Sequence, residues 1–167
     1  MKIASLEVIF HALQAANARF IVVGGLAVIA HGYVRMTQDL DLVLDLAPAS
    51  IQDALGALES LGYRPLVPVS LRDFENPEKR KDWIEKRNMK VFNLVSDRYP
   101  EVPIDIFPHE PFAFEVEYAA ADWREISPLV QVPIVSIPTL IAMKTEANRF
   151  QDQVDIEKLR KLFLARP

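Results

Sequence analysis

Three aspartates stand where carboxylates do chemistry. Asp39 and Asp41 are two apart in Asp39-Leu40-Asp41-Leu42-Val43-Leu44-Asp45, an alternation that reads as a strand with leucines on one face and acids on the other. Both acids would then leave the same face. Carboxylates that close repel each other and raise a pKa unless a cation neutralises them. A hard divalent ion such as Mg2+ or Mn2+ does so through oxygen ligands, keeping waters that substrate phosphates displace. Asp105 lies mid-way in a second apolar segment, Ile104-Asp105-Ile106, where an acid facing a core would be unpaired. Should its strand run beside the Asp39 strand, a third carboxylate reaches the same spot. The competing meaning is that Asp-x-Asp marks only the exposed face of an edge strand. Asp45, at the strand end, reads as a turn or helix-cap residue.

Upstream, Val22-Val23-Gly24-Gly25-Leu26-Ala27 puts a Gly-Gly break directly after an apolar strand and before a helix. Such a turn lets backbone N–H groups and a helix N-terminus approach a phosphate closely, although a plain tight turn uses the same residues. It is not a Walker A loop, because no Gly-Lys-Ser/Thr follows. Nor is it a Gly-x-Gly-x-x-Gly fingerprint.

The elements that must position these residues follow from periodicity. Ile3, Leu6, Ile9, Phe10 and Leu13 predict a first helix ending near Asn17, and Phe20 to Val23 a buried strand. Leu26 to His31 reads as a short helix closed by Gly32, and His31 as a satisfied helix-end histidine. After the acid strand, Pro48 opens a helix that Gly62 stops. Tyr63 to Val69 reads as a strand, and the charged stretch Arg72 to Arg87 gives no clear element. Lys90 to Val95 and Val102 to Phe107 read as strands joined in a hairpin across Ser96 to Glu101, with Pro103 at a strand start or edge. Val130 to Val135 reads as a final strand. A helix with Pro138 in its first turn follows, then a last helix from Asp152 to Leu164. No linker or repeat divides the chain, so residues 1–167 are expected to form one domain of the α/β (α+β) class, a mixed β-sheet flanked by helices.

Composition removes several classes of function. The chain has 167 residues, half of them hydrophobic, which is ample for one core. With 23 acids against 19 bases, the net charge of −4 gives no global attraction to nucleic acid. The basic run Lys79, Arg80, Lys81, Lys86, Arg87 and Lys90 reads as a solvated face. Trp83 and Trp123 read as packing residues, with Trp83 near enough to that run to stack a base. The absence of cysteine excludes a disulfide framework, a thiolate metal site and a cysteine nucleophile. The N-terminus lacks the continuous apolar run of a signal peptide, and Phe20 to Ala30 is too short to span a bilayer, so a cytoplasmic location with no membrane partner is expected.

Together, Gly24-Gly25, Asp39-Leu40-Asp41 and Asp105 resemble the nucleotidyltransferase superfamily that includes DNA polymerase beta and the antibiotic nucleotidyltransferases. The thirteen residues between Gly25 and Asp39 (26 to 38) fit that family's spacing. Gly24-Gly25-Leu26-Ala27, His31-Gly32 and Arg35-Met36-Thr37-Gln38-Asp39-Leu40-Asp41 resemble its small bacterial branch, related to AbiEii-type abortive-infection toxins. Lys144 followed by Arg149, Asp152 and Asp155 is similar to that branch's C-terminal pattern. One departure is the serine often found in a Gly-Ser turn, which is Gly25 here and removes a hydroxyl that could hold a triphosphate oxygen.

The resemblance implies a minimal nucleotidyltransferase fold and a metal-dependent transfer of a nucleoside monophosphate from a nucleoside triphosphate to a hydroxyl on protein, RNA or a small molecule. It implies that Asp39, Asp41 and Asp105 hold the metal ions and act as catalytic acids, with Gly24 and Gly25 cradling phosphates. Lys144 becomes the candidate cation that offsets phosphate charge, against a solvated helix lysine. Arg35 becomes a candidate phosphate contact, and Thr37 an ordinary turn residue. Arg149, Asp152 and Asp155 read as salt bridges or a helix cap. An antitoxin-like partner protein is implied as well. Two alternatives share these residues: a non-catalytic nucleotide- or partner-binding module of the same fold, and a phosphohydrolase, for which no water-activating group is evident.

Overall fold

The structure, a computed structural model, describes residues 1–128 and 130–165. Its elements in chain order are α1 (Ile3–Ala15), β1 (Phe20–Val22), α2 (Gly24–Ala30), β2 (Leu40–Leu44), α3 (Pro48–Ser60), β3 (Tyr63–Pro65), a 3-10 turn (Leu71–Glu75), α4 (Pro77–Arg87), β4 (Phe92–Ser96), β5 (Ile104–Ile106), α5 (Phe114–Ala119), β6 (Asp122–Ser127), β7 (Val130–Ile134), α6 (Ile137–Ala147) and α7 (Phe150–Leu164). Local chemistry explains most of the boundaries. Asn17, Asn88 and Asn148 take positive φ just past α1, α4 and α6, the left-handed stop that asparagine tolerates. Pro48 sits in the first turn of α3, and Ser136 caps α6 by accepting the Thr139 N–H.

The strands form one mixed sheet in the spatial order β3-β4-β5-β2-β1-β7-β6. β1 runs antiparallel to β2 and parallel to β7, while β2 and β5 run parallel. β4 and β5 pair antiparallel, as the expected hairpin requires. Leu40, Leu42 and Leu44 are fully buried on one face of β2, so Asp41 leaves by the other. α1 and α3 pack on each other and on the sheet, whereas α2 lies against β2 and α6, and α6 against α7.

Several expectations change. The last helix begins at Phe150, two residues early, because Asp152 caps it from inside its first turn. β3 is shorter than expected. Neither α5 nor the edge strand β6 shows in the sequence, since Asp122-Trp-Arg-Glu-Ile-Ser lacks an apolar alternation; β6 exists by pairing with β7. The charged stretch folds into a 3-10 turn capped by Ser70 and a helix capped by Asn76. That helix buries only Arg80 and Trp83, too few for a periodic signal. Its other bases are exposed, as the solvated-face reading holds. No helix among the described residues is long and apolar enough to cross a membrane.

Trp83 is a packing residue. Its ring stacks on Phe92 with centroids 5.2 Å apart, and Phe74 tilts against Phe92, also at 5.2 Å. Phe92 thus ties α4 and the 3-10 turn to the sheet. Phe92→Ala should cost about 3–5 kcal/mol, measured by urea unfolding, because the fully buried ring leaves a cavity that three elements cannot close.

Candidate functional site

The register of the sheet brings the second and third acids together. Asp41 is the Cα partner of Asp105 across parallel β2 and β5, and Asp105 faces Asn93 across β5 and β4. Cross-strand partners project from one face, so Asp41, Asp105 and Asn93 make a polar row across three strands. Asn93 Nδ2 donates to Asp105 Oδ1 at 2.7 Å. Burial, and then the charge of Asp105, push the Asp41 carboxyl up to about 6, with Asp39 adding and the Gly25 N–H and Arg149 opposing. Burial also raises Asp105, against the Asn93 hydrogen bond, and Asp39 raises it further.

Asp39 is placed differently from the pattern's suggestion. It lies in a bend one residue ahead of β2 and is exposed, although its charge acts on both strand acids. Among the described residues, no three acids or histidines are drawn close enough to hold an ion. The donor chemistry still suits a hard cation. Two partly buried carboxylates are held side by side against their own repulsion, with oxygen donors only and a third acid on an exposed bend next to them.

The glycine turn lies directly on this row. α2 begins at Gly24 itself, two residues before the expected start. Gly24 takes φ +61, and a Cβ there would stand 1.9 Å from Asp41 Oδ2, so both backbone and space require glycine. The Gly25 N–H donates to Asp41 Oδ2 at 3.4 Å.

Arg35 and Lys144 meet in one buried ion network. Arg35 Nη2 donates to Asp155 Oδ2 at 3.0 Å, with Nε 2.9 Å from Oδ1 but not aligned for a hydrogen bond. Lys144 is 4% exposed, with Nζ 2.7 Å from Asp155 Oδ2 and 3.0 Å from Asp152 Oδ1. It is therefore no solvated helix lysine. Asp152 caps α7 and accepts from Arg149 N at 3.1 Å and Nε at 2.8 Å, as the ion-pair and cap reading expects.

Two residues gain a place at the site that sequence reasoning did not give them. Asn93 fixes Asp105; its only signal was a polar residue inside the apolar run Phe92-Asn93-Leu94. Arg149, whose side chain is largely exposed, is the cation whose charge lowers both Asp41 and Asp105. Of the others, Asp45 does accept the Ala47 N–H in a turn, and His31 is buried with Nε2 2.7 Å from the Val135 carbonyl.

A family model for the nucleotidyl transferase AbiEii toxin of type IV toxin–antitoxin systems matches residues 7–163, which take in the polar row, the glycine turn and the C-terminal ion network. The chain belongs to the AbiEii nucleotidyltransferase family. Among curated proteins, none matches it. Two solved structures share the fold of this AbiEii-family chain. One is the lincosamide antibiotic adenylyltransferase LnuA with lincomycin bound (TM-score 0.62, 16% identity, 94% of this chain and 95% of that one). The other is ANT(2")-Ia in complex with adenylyl-2"-tobramycin (TM-score 0.56, 16% identity, 98% of this chain and 95% of that one). At that identity the likeness is one of fold.

The raised Asp41 pKa has a consequence for stability. Its folded value lies above the unfolded one, so its contribution is complete below pH 4 or so and is lost as pH rises through about 6. In chelator-treated protein, unfolding should therefore cost ~1.4 kcal/mol less at pH 8 than at pH 5 from this group. Asp41→Asn should flatten that part of the profile, as read by urea midpoints across the range.

Proposed function

We propose that this AbiEii-family chain is a single metal-dependent nucleotidyltransferase unit that moves a nucleoside monophosphate from a nucleoside triphosphate to a hydroxyl acceptor, as the toxin of a pair with an antitoxin-like partner. The observation that carries the reading is the Asp41–Asp105 row lying beneath the Gly24–Gly25 turn. Asp41 and Asp105, with Asp39 from its bend, would hold Mg2+ or Mn2+. When bound there, such an ion would offset the charge of the acid pair and supply charge stabilisation for the reacting phosphate oxygens.

The chain's own groups do the rest. Asp105, oriented by Asn93, takes the proton of the acceptor hydroxyl as its oxygen bonds to the α-phosphorus. The bond between that phosphorus and the bridging oxygen breaks, and pyrophosphate leaves. Arg35 and Arg149 offset the charge of the phosphates, and the turn's backbone lets them approach closely. Lys144 contributes through Asp155, whose oxygen it neutralises, so that Arg35 is held without an uncompensated buried charge. The acceptor is a hydroxyl of protein, RNA or a small molecule.

The exposed position of Asp39 favours a second reading, a nucleotide- or partner-binding module without transfer. One assay separates the two. With Mg2+ and each α-labelled ribonucleoside triphosphate, the native chain should transfer label to a cell-extract protein or RNA fraction, and Asp41→Asn or Asp105→Asn should lower that transfer at least about a hundredfold. Binding without transfer would support the module, and undiminished transfer by Asp41→Asn would sink the proposed site.

A further inference from the structure

We infer that Thr37 is a polyphosphate-contacting residue, supplying from the loop ahead of β2 the hydroxyl that a two-glycine turn cannot carry. This rests on the nucleotidyltransferase reading and adds a residue to its phosphate-binding side.

The observation is steric. A Cβ built on Gly25 would stand 2.2 Å from Thr37 Oγ1 and 2.8 Å from Thr37 Cβ. Thr37 therefore fills the space that a side chain at position 25 would occupy. The turn can carry a hydroxyl from residue 25 or from residue 37, but not both. Arg35 Nη2 lies 3.0 Å from the same point. A hydroxyl and a guanidinium thus converge over Gly25, whose N–H is directed at Asp41.

An ordinary turn threonine bonds its own backbone a residue or two away. Thr37 does not: its hydroxyl has no hydrogen-bond partner among the described residues, and the side chain is only partly buried. Its neighbour, by contrast, is fixed. Arg35 is held by Asp155, which is itself fully buried and neutralised by Lys144. An unpartnered hydroxyl beside an anchored cation, next to a cation-seeking acid row, suits a phosphate oxygen of a metal-bound polyphosphate. Threonine's branched Cβ limits χ1 and keeps the hydroxyl aimed.

Inorganic tripolyphosphate with Mg2+ is the probe, because it removes the unknown nucleobase from the measurement. By isothermal titration, Thr37→Val, which keeps the shape and loses the hydroxyl, should bind about tenfold more weakly than the native chain, and Thr37→Ser within about threefold of it. Gly25→Ser combined with Thr37→Gly relocates the hydroxyl and should bind more tightly than Thr37→Gly alone. Thermal unfolding of each variant confirms that it is folded. If the native chain binds and folded Thr37→Val binds equally well, the Thr37 role is overturned and the nucleotidyltransferase reading stands. If folded native protein binds no tripolyphosphate, both fall.

Discussion

Asp41 and Asp105 face each other on adjacent parallel strands, two like charges that nothing in the sheet itself neutralises. Left in an apolar interior they would protonate or drive the strands apart. Their surroundings oppose protonation in part: the Gly25 N–H on one acid, the Asn93 amide on the other, and Arg149 acting on both. Burial outweighs these contacts, and both carboxyls stay raised above the ordinary carboxylate range. The closeness of Gly24 to Asp41 leaves no room for a side chain on the turn above the pair.

The second constraint is the buried ion network of Arg35, Lys144, Asp152 and Asp155, with the exposed Arg149 at its edge. Asp155 is 0% exposed and Lys144 nearly so, so removing one partner would leave the other buried and uncompensated. The network bolts α6 and α7 to the loop that carries Arg35 and Thr37 ahead of the acid strand. Helices that would otherwise only cover the sheet thereby set where a cation and a hydroxyl stand relative to Gly25. Packing and chemistry share these residues, which is why the C-terminal helices bear on a site formed mainly by the first half of the chain.

Much of this was legible in the sequence where the signal was local. The Asp-x-Asp segment, the Gly-Gly break, the β4–β5 hairpin and the start of α3 at Pro48 each follow from spacing over a few residues. Placing β5 beside β2, with Asp105 as a neighbour of Asp41, needed only the expectation that a mid-strand acid seeks company. The illegible parts are long-range or marginal. Arg35 and Asp155 are 120 residues apart, and no periodicity announces such a clamp. Asp39 shares the two-residue spacing of a strand yet falls outside β2, because the ladder to β5 begins at Leu40. α4 holds itself by caps and one stacked tryptophan, and β6 by its partner strand, neither of which leaves an apolar pattern. Thr37 looked ordinary because its role depends on the absence of a side chain twelve positions earlier (37 less 25).

We propose that the acid row is a divalent-cation site that holds a nucleotide beside the glycine turn. Anomalous diffraction from crystals grown with Mn2+ and a nucleoside triphosphate tests it most directly. Manganese signal between Asp41 and Asp105, with phosphate density against Gly25, is the result predicted. Occupied nucleotide with manganese elsewhere, and none on Asp41 or Asp105, would contradict the account.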